Sequence, residues 1–426
     1  MNNGYTLRCT SCGKSISDDN LPLRCDCGIP ALLRAEYTEK QLNPGPDSLG
    51  LYKFAGWLPI RRTLDGSAPP VTYRSEELAK RLGLSRLYIT FSGYWPEREC
   101  RMKTGTFKEC EAFSVCARMP EGFEKTLVVA SAGNTARSFA RVCSTNRIPL
   151  VVVVPETSLD AMWFDEEIDP CVRLIAAGGR SDYFDAIHLS SLICGFDGYM
   201  PEGGAKNVAR RDGMGTTVLS AAVEIGEVPE YYFQAVGSGT GAIAAWEANL
   251  RLLADGRFGE NKMKLMISQN APFLLLYDSW KERRRELVEL DLDTASKQIE
   301  KIKAKVLSNR KPPYSLTGGL YDALVDSGGE VFAATNLESD EARQLFLETE
   351  GIDISPAAGV ALASLIQASK SGLVDKEALV MLNITGGGVE RFKLENPTRY
   401  LEPSAVIPQE QIVQEDLEVI AKALDE

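Results

Sequence analysis

A lysine preceded by hydroxyl residues and a glycine stands at the predicted start of a helix. The segment is Thr104-Gly105-Thr106-Phe107-Lys108, and the helix is predicted to continue to Met119. The positive end of a helix dipole lowers the pKa of an amine held there, so more of that amine is the uncharged nucleophile. Such a lysine could form a Schiff base with a bound aldehyde. A solvated lysine at a helix start is the simpler alternative.

A second loop, Ser131-Ala132-Gly133-Asn134-Thr135, follows the apolar strand predicted over 126–130 and opens the next predicted helix. In parallel sheets, the carboxyl ends of strands and the starts of the following helices form the ligand crevice. Backbone NH groups in this loop could hold a carboxylate there. Capping of the helix by Ser131 or Asn134 is the alternative, and the two roles are compatible.

A third loop, Gly237-Ser238-Gly239-Thr240-Gly241, also follows an apolar strand and opens a helix. Three glycines and two hydroxyls in five residues predict a nest of NH donors suited to phosphate. The loop has neither the lysine of a P-loop nor the spacing of the dinucleotide fingerprint. It therefore predicts a phosphate site for a smaller cofactor.

A fourth loop, Thr385-Gly386-Gly387-Gly388, ends the apolar strand predicted over 379–384. It places the Thr385 hydroxyl at the lip of the same crevice, although a plain glycine-rich turn explains the loop equally well. The four loops together predict one site that combines an amine, an anion loop, a phosphate cup and a hydroxyl.

Four of the ten cysteines form two close pairs near the start of the chain: Cys9 with Cys12, and Cys25 with Cys27. A glycine follows each pair, as in thiolate knuckles, and four thiols could hold a structural zinc ion in a tetrahedral site. The CxC spacing of the second pair strains that geometry. A ribbon that has kept its thiols without metal is the alternative.

The elements that must position these loops alternate between apolar strands and helices from about residue 80 onward. Strands without period-two alternation are buried on both faces and belong to parallel sheets covered by helices. The predicted fold class is therefore α/β, with open parallel sheets that have helices on both faces. The charged segment 280–312 is predicted to be a solvated helical excursion or a subunit contact.

The composition of the chain excludes several classes of partner and mechanism. The formal net charge is −12, which disfavours nucleic-acid or anionic-membrane partners. The chain has no apolar run that could span a bilayer and no signal peptide, so a cytoplasmic location is expected. The single histidine, His188, restricts any mechanism that needs a Ser-His-Asp set or several histidine metal ligands.

The four loops, in this order, resemble those of threonine synthases and their fold-type-II relatives, over about residues 50–395. That resemblance implies a tryptophan synthase β-like fold, pyridoxal 5′-phosphate as cofactor and a catalytic role for Lys108 as Schiff-base lysine and general base. It also implies that Asn134 contacts the 3′ oxygen of the cofactor, that residues 237–241 hold its phosphate, and that Thr385 bonds its ring nitrogen. A neutral hydroxyl there suits elimination and replacement at Cβ.

The resemblance also implies a domain arrangement and substrate contacts. The predicted domains are a cysteine unit (1–36), a larger cofactor-binding domain (37–110 and 226–405), an inserted smaller domain (111–225) and a C-terminal helix (406–426). Substrate is expected to contact Ser131, Ala132, Gly133, Thr135, Asn207 and Arg210. Lys206, Arg211, Arg101 and Lys103 are further candidates, for each of which a solvated surface role is an equal alternative.

The chain departs from ordinary threonine synthases in several places. Arg101-Met102-Lys103 replaces the usual Asn-Pro, and Glu109-Cys110 follows the lysine in place of Asp-Arg. With the segment 201–211, these departures resemble the branch of the family that makes L-cysteate from O-phospho-L-serine and sulfite for coenzyme M biosynthesis. The implied partners are these two small anions and, as is usual for such enzymes, further copies of the chain.

Three other functions stay open on the sequence alone. One is threonine synthesis from O-phosphohomoserine, which the departures around Lys108 disfavour. Another is a catalytically inactive relative that senses a phosphorylated ligand, which the retention of Lys108 disfavours. The most distant is a metal-dependent redox role of the N-terminal cysteines.

Overall fold

The N-terminal unit is a small antiparallel sheet. The computed structural model describes residues 4–131 and 133–425. Its strands are β1 (Tyr5–Cys9), β2 (Ser15–Ile16) and β3 (Leu33–Tyr37), in the order β2-β1-β3. In β1 the side chains of Tyr5, Leu7 and Cys9 are buried in alternation, because only one face of this sheet packs against the rest of the protein.

The next stretch leads into the helix of Lys108. It comprises β4 (Val71–Arg74), α1 (Glu77–Leu82), β5 (Arg86–Phe91), β6 (Tyr94–Trp95), β7 (Cys100–Arg101) and α2 (Lys108–Arg118). The following stretch comprises β8 (Thr126–Ala130), α3 (Asn134–Asn146), β9 (Leu150–Pro155), β10 (Trp163–Phe164), β11 (Val172–Ala177), α4 (Tyr183–Ile193), β12 (Tyr199–Pro201) and α5 (Val208–Ile225).

The remaining elements run to the end of the described chain. The first group is β13 (Tyr231–Ala235), α6 (Thr240–Asp255), β14 (Lys264–Asn270), α7 (Leu275–Lys281), α8 (Leu292–Lys301), α9 (Leu320–Ser327) and β15 (Glu330–Ala334). The second is α10 (Asn336–Glu350), α11 (Pro356–Lys370), β16 (Leu379–Ile384), α12 (Val389–Glu395), β17 (Arg399–Tyr400), β18 (Ala405–Ile407) and α13 (Leu417–Asp425).

The larger sheet has six strands in the order β15-β14-β13-β16-β5-β4, and only the edge pair β4–β5 is antiparallel. Neighbouring residues of one strand pack into different cores. Tyr232 and Met381 belong to the core shared with α5, α6 and α9, whereas Phe233 and Leu382 belong to the core under α10 and α11. This sheet is therefore covered on both faces, as apolar strands without alternation predict.

The smaller sheet has five parallel strands in the order β12-β8-β9-β11-β18. Val152 faces the core shared with α2 and α3, and its neighbour Val153 faces the core that contains α4 and α13. Both sheets are thus open, helix-covered and largely parallel. The predicted fold class is confirmed, with the small cysteine-bearing sheet as an addition at the N-terminus.

Two sequence predictions need correction. The segment 406–426 is not helical throughout, because Ala405–Ile407 pairs with β11 as a fifth strand and the helix begins only at Leu417. The reason is local, since Ile407 is buried against the sheet and Pro408 cannot continue a ladder. The charged segment 280–312 is not helical throughout either: α8 is the one α-helix that lies wholly within it among the described residues, and the chain beyond α8 lines the candidate site while Lys305 and Lys311 stay exposed. The domain boundaries themselves remain a prediction.

Among the described residues, no helix combines the length and the apolar character that crossing a bilayer requires.

Candidate active site

A cavity of about 710 Å³ lies between the two large sheets, at the carboxyl ends of their strands. The ends of β8, β13 and β16 and the starts of α2, α3 and α6 meet there, because parallel strands point their carboxyl ends to the same edge. Eight of the predicted cofactor-binding residues line it: Lys108, Asn134, Gly237, Ser238, Gly239, Thr240, Gly241 and Thr385. This volume falls within the range of small-molecule sites.

The loop before Lys108 is hydrogen-bonded to the loop after β16. The Phe107 amide donates to the Thr385 carbonyl at 3.0 Å, and the Thr106 hydroxyl donates to the same oxygen at 3.1 Å. Gly388 has a φ of +69°, and a Cβ there would lie 1.8 Å from the Tyr94 carbonyl oxygen. Only glycine fits at position 388 beside Tyr94. The hydrogen bonds from residues 106 and 107 to the Thr385 carbonyl bring Lys108 and Thr385 to one wall of the cavity.

Lys108 is the first residue of α2, and its side chain is 21% exposed, toward the cavity. Its Nζ donates to Glu111 Oε2 at 3.1 Å and lies 3.8 Å from the Met214 sulfur. Burial lowers the pKa of Lys108 and the Arg210 charge adds to that effect, while Glu111 opposes it. The amine is thus held ready to act as a nucleophile or base.

Two carboxylates that sequence reasoning missed surround this amine. Arg210 donates from Nη1 to Glu111 at 2.9 Å and from Nε to Glu202 at 2.8 Å. Burial acts to lower the pKa of Arg210, but the two carboxylates outweigh it and raise that pKa. Arg210 lines the cavity as predicted, yet its guanidinium is engaged by protein groups in this state. The spacing of Glu111 three residues after Lys108 was the signal in the sequence.

The loop after β8 presents free amides. Ser131, Gly133 and Thr135 line the cavity, and Ala132 lies outside the described residues. Within the described chain, the backbone NH groups of Asn134 and Thr135 have no acceptor, since they open helix α3. Arg137 steadies the loop by donating to Asn134 Oδ1 and to the Thr104 carbonyl, each at 2.9 Å. These amides are suited to a carboxylate.

The glycine loop after β13 fits a phosphate group. Gly239 has a φ of +77° and precedes the first residue of α6, so the loop curls around the helix N-terminus. Among the described residues, the NH groups of Gly237, Ser238 and Gly239 have no acceptor. A Cβ at Gly237 would lie 2.8 Å from the Val306 carbonyl oxygen, so the chain after α8 closes one side of this cup. The residues present therefore fit the phosphate of pyridoxal 5′-phosphate.

Several predicted substrate residues have other roles. Asn207 is not among the residues that line the cavity. It caps α5 through the Ala209 amide at 3.1 Å and accepts from Arg118 at 2.8 Å. Arg211 is buried and pairs with Glu247 at 2.8 Å, and Lys103 pairs with Asp165 at 2.9 Å. The sequence could not show which of these polar and charged side chains the fold itself engages.

Four further cations line the cavity, of which sequence reasoning had named only Lys206 as a candidate. Lys305, Arg310 and Lys311 belong to the chain after α8, and Lys206 precedes α5. Arg310 reaches across to Asp182, with 2.7 Å between nitrogen and oxygen. Asp182 caps α4 on the far side of the cleft, so this ion pair joins the two walls. The site is therefore cationic although the chain is acidic overall.

The four N-terminal cysteines converge outside this cavity. The sulfur atoms of Cys9, Cys12, Cys25 and Cys27 all lie within 4.8 Å of one another, with 3.9 Å between Cys9 and Cys27 and 3.7 Å between Cys12 and Cys25. A tetrahedral zinc site with bonds of about 2.3 Å separates its sulfurs by about 3.8 Å. The thiol set therefore fits a zinc ion, and the CxC spacing does not prevent it.

Comparison with known proteins agrees with this geometry. The family model described as pyridoxal-phosphate dependent enzyme matches residues 72–386. Two solved structures share the fold. An aspartate racemase dependent on pyridoxal 5′-phosphate has a TM-score of 0.54 at 18% identity, covering 75% of this chain and 90% of its own. Maize serine racemase has a TM-score of 0.58 at 14% identity, covering 76% and 90%.

Curated relatives match nearly the whole chain. The cysteate synthase of Methanocella paludicola is 48% identical over 99% of this chain and 97% of its own. The cysteate synthases of Methanosarcina mazei and Methanosarcina acetivorans are 47% and 46% identical, each over 97% of this chain and 99% of their own. With Lys108, the glycine loop 237–241 and Thr385 around one cavity, this similarity shows that the chain belongs to the cysteate synthases, a family of pyridoxal-phosphate-dependent enzymes.

Proposed function

We propose that the chain replaces the phosphate group of O-phospho-L-serine with sulfite, giving L-cysteate and phosphate, and so serves coenzyme M biosynthesis. The observation that supports this best is a single cavity lined by Lys108, the amides of residues 237–241 and several cations. Both substrates are anions, and a local cluster of cations offsets their charge in an acidic protein. The names of the curated relatives state the product, cysteate.

The side chains and backbone amides that line the cavity would each have a separate role in this reaction. The bound cofactor supplies an electron sink for the bonding pair of a Cα–H bond. Lys108 would hold the cofactor covalently, and its free amine would take the Cα proton at Nζ. The Asn134 and Thr135 amides would hold the substrate carboxylate, and the Thr385 hydroxyl would donate to the ring nitrogen. The chain after α8 covers the cup and keeps water from the reacting carbon.

The test is product analysis on the purified holoenzyme. Incubation with O-phospho-L-serine and sulfite should yield equal amounts of L-cysteate and phosphate, measured by mass spectrometry and phosphate assay. Omission of sulfite should suppress L-cysteate altogether. Formation of threonine from O-phosphohomoserine without sulfite would instead show a threonine synthase, and absence of turnover with either phosphorylated substrate would show a binding protein.

We propose separately that Cys9, Cys12, Cys25 and Cys27 hold a structural zinc ion. The cluster lies beside the chain that covers the cavity, since the Thr10 hydroxyl donates to the Thr317 carbonyl at 2.9 Å. A chelator, or the substitution Cys12→Ser, should release one zinc per chain and lower the thermal midpoint, because a structural metal stabilises the fold. Elemental analysis and thermal unfolding measure both.

The control for the zinc prediction is Cys171→Ser, since Cys171 lies outside the cluster and is half-buried. That variant should keep its zinc. A full-length wild-type protein purified in zinc-containing medium with no bound metal would refute the proposal, and so would a Cys12→Ser variant that retains one zinc per chain.

The proposal also includes a cytoplasmic homo-oligomer. Light scattering coupled to size-exclusion chromatography measures the number of copies, and fractionation of the source cells measures location. A monomer, or a membrane-bound fraction, would contradict these two parts and leave the reaction unaffected.

A further inference from the structure

Glu111 is a fully buried carboxylate that contacts three functional groups of the cavity wall. It lies one helical turn after Lys108 on α2, and its side chain has no solvent exposure. It accepts hydrogen bonds from Lys108 Nζ at 3.1 Å, from the Thr135 hydroxyl at 2.8 Å and from Arg210 at 2.9 Å. A buried charge is tolerated only with such compensation.

The two oxygens of Glu111 have separate partners. Oε1 accepts from both Thr135 and Arg210, whereas Oε2 accepts from Lys108. The first oxygen therefore holds the carboxylate in place by contacts to α3 and α5. The second oxygen is directed at the lysine amine and is not needed to anchor the side chain.

The surrounding charges are balanced only with Lys108 protonated. Lys108 and Arg210 are the cations, and Glu111 and Glu202 are the carboxylates. Among the described residues, Tyr183 from α4 is a further titratable group close to them, and burial raises its pKa, so it stays neutral. When the lysine nitrogen is uncharged, this buried group of side chains has one uncompensated negative charge. Burial has the larger effect and lowers the pKa of Lys108, and the Glu111 charge opposes that effect by favouring the protonated amine.

We infer that Glu111 is the positioning residue for Lys108: it accepts a hydrogen bond from the released amine and holds the ammonium in place after that amine has taken the Cα proton. The inference rests on the proposed role of Lys108. The proton is on Nζ from its removal until its return to Cα, is not passed to Glu111, and Glu111 forms or breaks no covalent bond. Because Thr135 and Arg210 keep Glu111 in place while Lys108 is bonded to the cofactor, the acceptor is already oriented when the amine returns.

The substitution Glu111→Gln separates this role from a structural one. The glutamine oxygen can keep both bonds of Oε1, while its NH₂ group replaces the acceptor for Lys108 with a donor. In the cofactor-free chain, the Lys108 pKa should fall by about 1 pH unit or more, since an opposite charge at this distance is lost. The ¹³C shift of labelled lysine measures it, with Lys108→Arg to assign the signal.

Two further variants complete the test. Glu109→Gln makes the same charge change one position from Lys108, but Glu109 accepts from the Thr104 amide instead, so the Lys108 pKa should not move. Glu111→Asp keeps the charge and withdraws it by one methylene, so a smaller fall is expected even if the glutamine variant does not fold. An unchanged Lys108 pKa in a folded Glu111 variant, or an equal change in Glu109→Gln, would overturn the inference.

The pH profile gives a second readout. In Glu111→Gln the limb of the turnover profile that follows Lys108 should move to lower pH, in the same direction as the pKa. The lysine titration is measured without cofactor or substrate, and the product assay measures the proposed reaction. A failure of the role inferred for Glu111 is therefore distinguishable from a failure of the proposed reaction.

Discussion

Lys108→Ala should lose the visible absorption band of the bound cofactor and at least about 10³-fold in turnover, since both the covalent attachment and the general base disappear. Lys108 lines the cavity together with the phosphate cup, and the other cations there could not replace it at the same position. Absorption spectroscopy, with borohydride trapping and peptide mass analysis, measures attachment. Steady-state kinetics measures turnover.

The matched control is Lys103→Ala. Lys103 lies five residues earlier, and its amine pairs with Asp165 at 2.9 Å and with Glu166 at 2.6 Å. Asp165 keeps its ion pair with Arg141 when Lys103 is removed, so the variant should keep its absorption band and most of its activity. A Lys108→Ala protein that retains a borohydride-sensitive band would exclude Lys108 as the attachment site.

Arg210→Met should lower the free energy of unfolding by about 3–5 kcal/mol, because it leaves Glu111 and Glu202 buried without their cation. The guanidinium bonds both carboxylates, and its side chain is only 10% exposed. Methionine occupies a similar volume, so lost packing contributes little. Urea denaturation of the cofactor-free chain measures the change.

The comparison for Arg210 is Arg8→Met, which breaks an exposed pair with Glu36 at 3.1 Å and should cost no more than about 1 kcal/mol. The alternative for Arg210 is the one that the family resemblance implies, a direct contact to substrate phosphate. An Arg210→Met variant as stable as wild type, but with a strongly raised KM for the phosphorylated substrate, would support that contact over the buried network.

The strands were predictable because burial on both faces leaves a clear signal. Over 126–130 and 379–384, the predicted bounds agree with the observed strands. The short edge strand at 405–407 was missed because three residues before a proline produce no periodic pattern. The cover of the cavity after α8 was also missed, since its charged residues resemble those of a solvated helix.

The sequence alone determined the residue types and their order: a lysine at a helix start, amide-rich loops after apolar strands, and four cysteines in two pairs. These follow from local rules, because strand burial, helix starts and glycine conformation depend on near neighbours. Only the tertiary structure decided which polar groups meet. Arg210 pairs with Glu111, 99 residues away in the sequence, and with Glu202, 8 residues away. Asn207 accepts a hydrogen bond from Arg118, and Arg310 pairs with Asp182 across the cleft. Pairing of buried charges depends on distance in space, which the spacing of residues along a chain does not specify.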